Sequence, residues 1–223
     1  MLLLAQALVG LIVAASAAAA AAPHTLTIVV APDAVDSSRS LAELKLETSR
    51  LVSPADYSFA WLSRDQAALG DSFEHLVVVH FQGACRSTGT ADPPVVEAGS
   101  LATTAVSNGQ VLPFVTVDCD RIRRLVAPAL APLPSGAREI VFGRALGRVL
   151  AHELYHVLAQ TTLHKFHGVS KPCFRLADLV STGFRFDAAS LVQMRPAAQL
   201  ARQFPPEPAR PSDHEFDDVV AGR

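Results

Sequence analysis

Apolar residues follow two rhythms along this chain. Short apolar or alternating runs at residues 25–30 (TLTIVV), 57–62 (YSFAWL), 73–81 (FEHLVVVHF), 101–106 and 111–117 predict strands, the first of them central. Asn108-Gly109 between the last two runs is a hairpin signal, and Pro113 places an edge strand or a bulge in the second of them. Spacings of three and four predict helices. Residues 37–51 carry Leu41, Leu44, Leu46 and Leu51 among charges, with Ser37, Ser38 or Ser40 available as N-cap. Residues 120–130 turn Ile122, Leu125 and Val126 inward, and residues 174–181 and 186–203 make a short helical end, interrupted near Pro196. The longest pattern is 137–160, where Phe142, Leu146, Val149, Leu150, Leu154, Val157 and Leu158 form one apolar face. Arg144, Arg148, His152 and His156 recur at fours on the opposite side, so the histidines are expected off the core face, opening into a cleft, with the two arginines on a solvated helix face. Gly143 and Gly147 form a third face that admits close approach of another backbone.

The ends of the chain differ from this middle. Residues 2–13 are apolar except for Gln6 and Gly10, and an alanine tract runs to Ala22, which reads as a signal peptide over residues 1–22, with an uncleaved anchor as the alternative. Residues 204–223 are rich in proline and acidic side chains and predict a disordered tail, which leaves 23–203 as one domain. With 19 Lys+Arg against 21 Asp+Glu, there is no basic footprint for nucleic acid, and no stable membrane association is expected once the signal is cleaved. The expected location is secreted or periplasmic. Export gives the three cysteines meaning: Cys85 and Cys119 each follow a strand-like run and are expected to pair, leaving Cys173 free, although spacing alone leaves other pairings, or three buried thiols, open.

The chemistry concentrates at His152-Glu153-Leu154-Tyr155-His156. On a helix, His152 and His156 lie one turn apart on one face, where two imidazoles can converge on a single ion. Glu153 is offset by about 100° and can reach a water beside that ion as general base. A catalytic zinc site needs a third protein ligand. Downstream stand His164, His167 and Asp178. His164 would be ~12 Å beyond His156 on an unbroken helix, so the helix must stop, with Thr161-Thr162 at the turn and Gly168 allowing a second bend. Asp178 is otherwise suited to accept a hydrogen bond from a ligand imidazole. Tyr155 and His167 are the nearby polar candidates for an oxyanion, Tyr155 being more simply a packed helix residue. His75 and His80 sit at the ends of an apolar strand and read as core or rim histidines without chemistry.

This motif resembles the active-site helix of the zincin metallopeptidases. The layout is similar to the metzincins, although Ala159 and Thr162 stand at their glycine and third-histidine positions. It is more similar to a group of short exported bacterial metallopeptidases with H-E-L-x-H-x(7)-H-x(3)-G, matched by His152, Glu153, Leu154, His156, His164 and Gly168. Asp118-Cys119-Asp120 and residues 143–150 extend the resemblance over roughly 75–180. It implies an α+β zincin-like domain with a small mixed sheet on the active-site helix, and His164 as third ligand over His167 and Asp178. It also implies one Zn2+ per chain and hydrolysis of a peptide or protein substrate with Glu153 as the catalytic residue. The rival readings are a non-catalytic zinc-stabilised or peptide-binding domain, and a metal-free structural protein.

Overall fold

All five apolar runs become strands: β1 (His24–Val30), β2 (Tyr57–Ser63), β3 (His75–Gln82), β4 (Ala102–Ser107) and β5 (Gln110–Asp118). They come from a computed structural model that describes residues 22–31, 35–67, 71–88 and 99–203. The expected signal peptide, except Ala22, and the acidic tail lie outside the described residues. The strands make one mixed sheet in the order β2-β1-β3-β5-β4, parallel except for β4, which runs antiparallel at the edge. Between β2 and β3, β1 is covered on both faces from Leu26 to Val30, so its sequence reads as a continuous apolar run rather than an alternation. Asn108 and Gly109 adopt φ of 51° and 77°, the left-handed pair that matches a two-residue turn to strand twist. Pro113 resolves to the bulge, since β5 is interior to the sheet. The β4 ladder is irregular between Thr104 and Val106, and pairing with β3 begins only at Phe114, so no ladder bond is asked of the proline.

Six α-helices and a 3-10 turn at Ser53–Ala55 complete the described residues: α1 (Ser38–Val52), α2 (Cys119–Leu130), α3 (Ser135–Ala159), α4 (Leu176–Val180), α5 (Ala188–Met194) and α6 (Pro196–Gln203). The Ser37 hydroxyl caps α1 by accepting from the Ser40 N–H, and the Asp118 carboxylate caps α2 by accepting from the Arg121 N–H. The fold is therefore α+β, and α3 is its axis. It touches α1, α2, α4, α5, α6 and strands β4 and β5.

This corrects the expectation that α3 presents a solvated polar face. From Phe142 to Ala159 every residue except Arg144 is buried. Helix α1 packs directly against the glycine face: a Cβ on Gly143 would run into the Ser40 carbonyl, and one on Gly147 would sit 2.8 Å from the Leu44 oxygen. The arginine row is tied down rather than hydrated. Arg144 pairs with Glu43 at 2.9 Å, and Arg148, 1% exposed, donates to Glu47 at 2.7 Å, to the Asp178 carbonyl at 2.7 Å and to the Ser181 carbonyl. Burial pushes the Glu47 carboxyl up, but its bonds to Arg50 and Arg148 outweigh that and hold it ionised below its ordinary range. A charge buried this way needs its partner, because an unpaired one would be far costlier than the pair.

Cys85 and Cys119 form a disulfide that ties the segment after β3 to the first residue of α2, and Cys173 is free and exposed. Among the described residues no helix is long and apolar enough to cross a membrane.

Candidate metal centre

His152 and His156 occupy the last two turns of α3, and the helix ends where the third histidine requires it to. Gln160 takes a left-handed φ of 47°, one residue ahead of the expected Thr161-Thr162 turn, while the Thr161 N–H bonds back to the His156 carbonyl at 3.2 Å. The chain then folds back. Gly168 has φ of 68°, and a Cβ there would lie 2.5 Å from the Arg185 oxygen; the Val169 N–H donates to that same oxygen at 3.1 Å. Between these two bends His164 is carried over the helix end. Its ring stacks on His152 at 5.2 Å between centroids and stands nearly perpendicular to His156 at 4.8 Å.

One nitrogen from each of His152, His156 and His164 lies within 4.8 Å of the other two. His167 is exposed and outside this group. Asp178 is also outside it: its carboxylate caps α4 through the Arg175 N–H and pairs with Lys171, both at 2.7 Å. Nor does Asp178 accept from a ligand imidazole. That role falls to backbone carbonyls, with His152 Nδ1 2.6 Å from the Val169 oxygen and His156 Nδ1 2.7 Å from the Thr161 oxygen.

Those two contacts fix the tautomers. A carbonyl only accepts, so each Nδ1 carries the proton and each Nε2 presents a lone pair. The two Nε2 atoms face each other at 3.1 Å. Burial drives the His152 pKa down to about 4, against the opposing bond to Val169 and with help from the other two rings, so no proton is held between the pair at neutral pH. His156 and His164 are also lowered, chiefly by burial. Two buried imidazoles with facing lone pairs, and an exposed third one stacked over them, fit a borderline cation such as Zn2+, for which neutral imidazole is a preferred ligand.

Glu153 is buried beside the triad but is not part of it. Burial pushes its pKa up to about 7, and the Thr104 hydroxyl, donating to Oε2 at 2.7 Å, opposes the rise. Thr104 belongs to β4, so the edge strand and α3 meet at this carboxylate. A cavity of about 600 Å³ opens there, lined by β4, Leu125, Val149, the three histidines, Glu153 and Phe174. Phe174 places its ring edge-on to His152 at 5.2 Å. Tyr155 is a packed residue, as its simpler reading had it: 1% exposed, with its hydroxyl on Gln193 at 3.2 Å.

The structure thus brings together His152, His156 and His164, with Glu153 beside them. It adds Thr104, Phe174 and the two carbonyl acceptors, none of which carries a sequence signal. No family model matches the chain, and no curated protein matches it by sequence, so the functional reading rests on the geometry of this site.

Proposed function

We propose that the chain is a zinc-dependent peptidase that hydrolyses peptide bonds of a peptide or protein substrate outside the cytoplasm. The observation that carries this is the pair of facing Nε2 atoms, 3.1 Å apart, whose protons are committed elsewhere, next to a buried carboxyl that is not a ligand. His152, His156 and His164 would hold Zn2+. Bound there, Zn2+ supplies Lewis acidity toward a peptide carbonyl and acidifies water at neutral pH.

The remaining work belongs to the chain. Glu153 takes a proton from the attacking water and returns it to the leaving amine, for which a carboxyl poised near neutrality suits both steps. Thr104 holds Oε2 and thereby orients Oε1 as the proton carrier. Edge strand β4 borders the cavity and has no strand partner on its outer side among the described residues, so an extended peptide can align there by backbone pairing. The disulfide supports an oxidising compartment.

The test is Glu153→Gln. Zinc at the triad should be retained while cleavage of a peptide library falls by ~10²–10⁴-fold, the range for losing a general acid–base group. Unchanged turnover would overturn the catalytic role. Retained zinc with no turnover in the unmodified chain would leave the triad as a stabilising centre.

A further inference from the structure

Two groups of three metal-type side chains occur among the described residues, and the second is His24, Glu74 and His75. One ligand atom from each lies within 4.8 Å of the other two. Sequence hides the group, because His24 and Glu74 are fifty positions apart and His75 reads as a strand-end rim histidine. Register assembles it. Leu26 of β1 pairs with His75 of β3, so His24 and Glu74 enter neighbouring parallel strands side by side.

The donors are held in place. Glu74 Oε2 accepts the Thr25 N–H at 2.9 Å, which turns Oε1 toward His24 Nδ1, to which it is hydrogen-bonded. The His75 ring stands edge-on to Tyr57 at 5.3 Å, and Tyr57 is itself buried, with its hydroxyl on the Met194 carbonyl. The His24 and His75 rings are 6.0 Å apart. The carboxylate and one imidazole are therefore backed by the sheet, while the outer side is open: the His24 and Glu74 side chains are 42% and 46% exposed.

We propose that His24, Glu74 and His75 form a second metal site, for a borderline divalent cation such as Zn2+, which clips the start of β1 to the start of β3. Two imidazoles and a carboxylate are a zinc-type donor set, and a fourth position facing solvent takes water. The cation takes the place of the hydrogen between His24 Nδ1 and Glu74, and the His24 ring then carries its N–H on Nε2, facing solvent. None of the three residues lines the cavity at the histidine triad, so the two sites load independently. The clip closes the chain between the first strand and the third, so its occupancy stabilises the entry of the chain into the sheet. The expected metal content rises from one cation per chain to two.

The experiment is a calorimetric Zn2+ titration of the chelator-stripped full chain at neutral pH, with elemental analysis after dialysis. Two equivalents are expected in the unmodified chain and one in Glu74→Gln and in His75→Asn, both replacements on or near the surface. His156→Asn should also bind one. The melting temperature should rise with the second equivalent only where Glu74 and His75 are intact. A single equivalent that both replacements leave unchanged would overturn the second site and reduce the cluster to an exposed His–Glu pair, while leaving the triad standing. A single equivalent that survives His156→Asn and disappears in His75→Asn would uphold this site and remove the triad. No retained zinc would overturn both.

Discussion

Glu153 and His152 are chain neighbours whose burial moves their protons in opposite directions, and the metal-free protein should reveal both. Glu153 is raised from 4.5 to about 7, so between those values the folded state holds a proton that the unfolded state has lost, and stability falls as pH rises. His152 is lowered from 6.5 to about 4, so across that interval the unfolded state binds more protons, and stability rises with pH. The two slopes oppose each other between about pH 4.5 and 6.5. Glu153→Gln removes only the falling one. Chelated Glu153→Gln should therefore gain on the chelated parent by ~1.4 kcal/mol per pH unit over that window, measured by urea unfolding at several pH values. A difference that does not change with pH would show that the carboxyl is not buried as described. Much of this chemistry is legible in the sequence, because a helix converts a spacing of four into one face, and His152, Glu153 and His156 need nothing more. Thr104 was invisible, since its contact with Glu153 depends on where the edge strand crosses α3. Arg148 was misread for a related reason. Periodicity tells which residues share a face but not whether another layer covers it, and Glu47, 101 positions away, supplies that layer.

At the scale of elements, the join between α1 and α3 depends on two missing side chains. Gly143 faces the Ser40 carbonyl and Gly147 faces the Leu44 carbonyl, and backbone cannot swing aside as a side chain would. Gly143→Ala gains ~1 kcal/mol in helix propensity but forces the helices apart at a typical overpacking cost of ~1–3 kcal/mol. A net loss of up to ~2 kcal/mol is expected, read from the urea midpoint. Gly183→Ala is the control, because nothing lies within 4 Å of its added Cβ and its backbone needs no left-handed φ. That variant should be neutral or up to ~1 kcal/mol more stable. Equal behaviour of the two variants would remove the close-approach account. Elements of this kind were readable wherever the signal is local: the Asn108-Gly109 turn, the serine cap of α1, narrowed to Ser37 among three candidates, and the long apolar stripe of α3. The end of α3 was placed one residue late because Gln160 enters the left-handed region without the glycine or asparagine that marks such a turn.

For the whole molecule, the five strands could be found in the sequence but not their order. The arrangement β2-β1-β3-β5-β4 is set by contacts between segments tens of residues apart, and the packing of α1 on α3 is of the same kind. The disulfide is the covalent expression of that long-range order. It joins Cys85 to Cys119 across a separation of 34 residues, both ends buried, and so links the exit of β3 to the start of α2. In the chain-entropy account a closed loop of this length stabilises the fold by ~3–4 kcal/mol, mainly by restricting the unfolded chain. The triad does not depend on the link directly, since α3 is also held by α1 through the glycine face and the buried Arg148–Glu47 pair. Replacing both cysteines by alanine should therefore lower unfolding stability by ~3–4 kcal/mol while metal binding to His152, His156 and His164 in the folded protein is kept. Cys173→Ala, at a free and exposed position, should leave unfolding stability unchanged. Urea unfolding of the metal-free variants, paired with zinc titration of the folded ones, separates the effects. Loss of zinc binding in the double alanine variant under native conditions would mean that the position of α2 against the cavity, through Leu125, governs the triad more than the α1–α3 contact does.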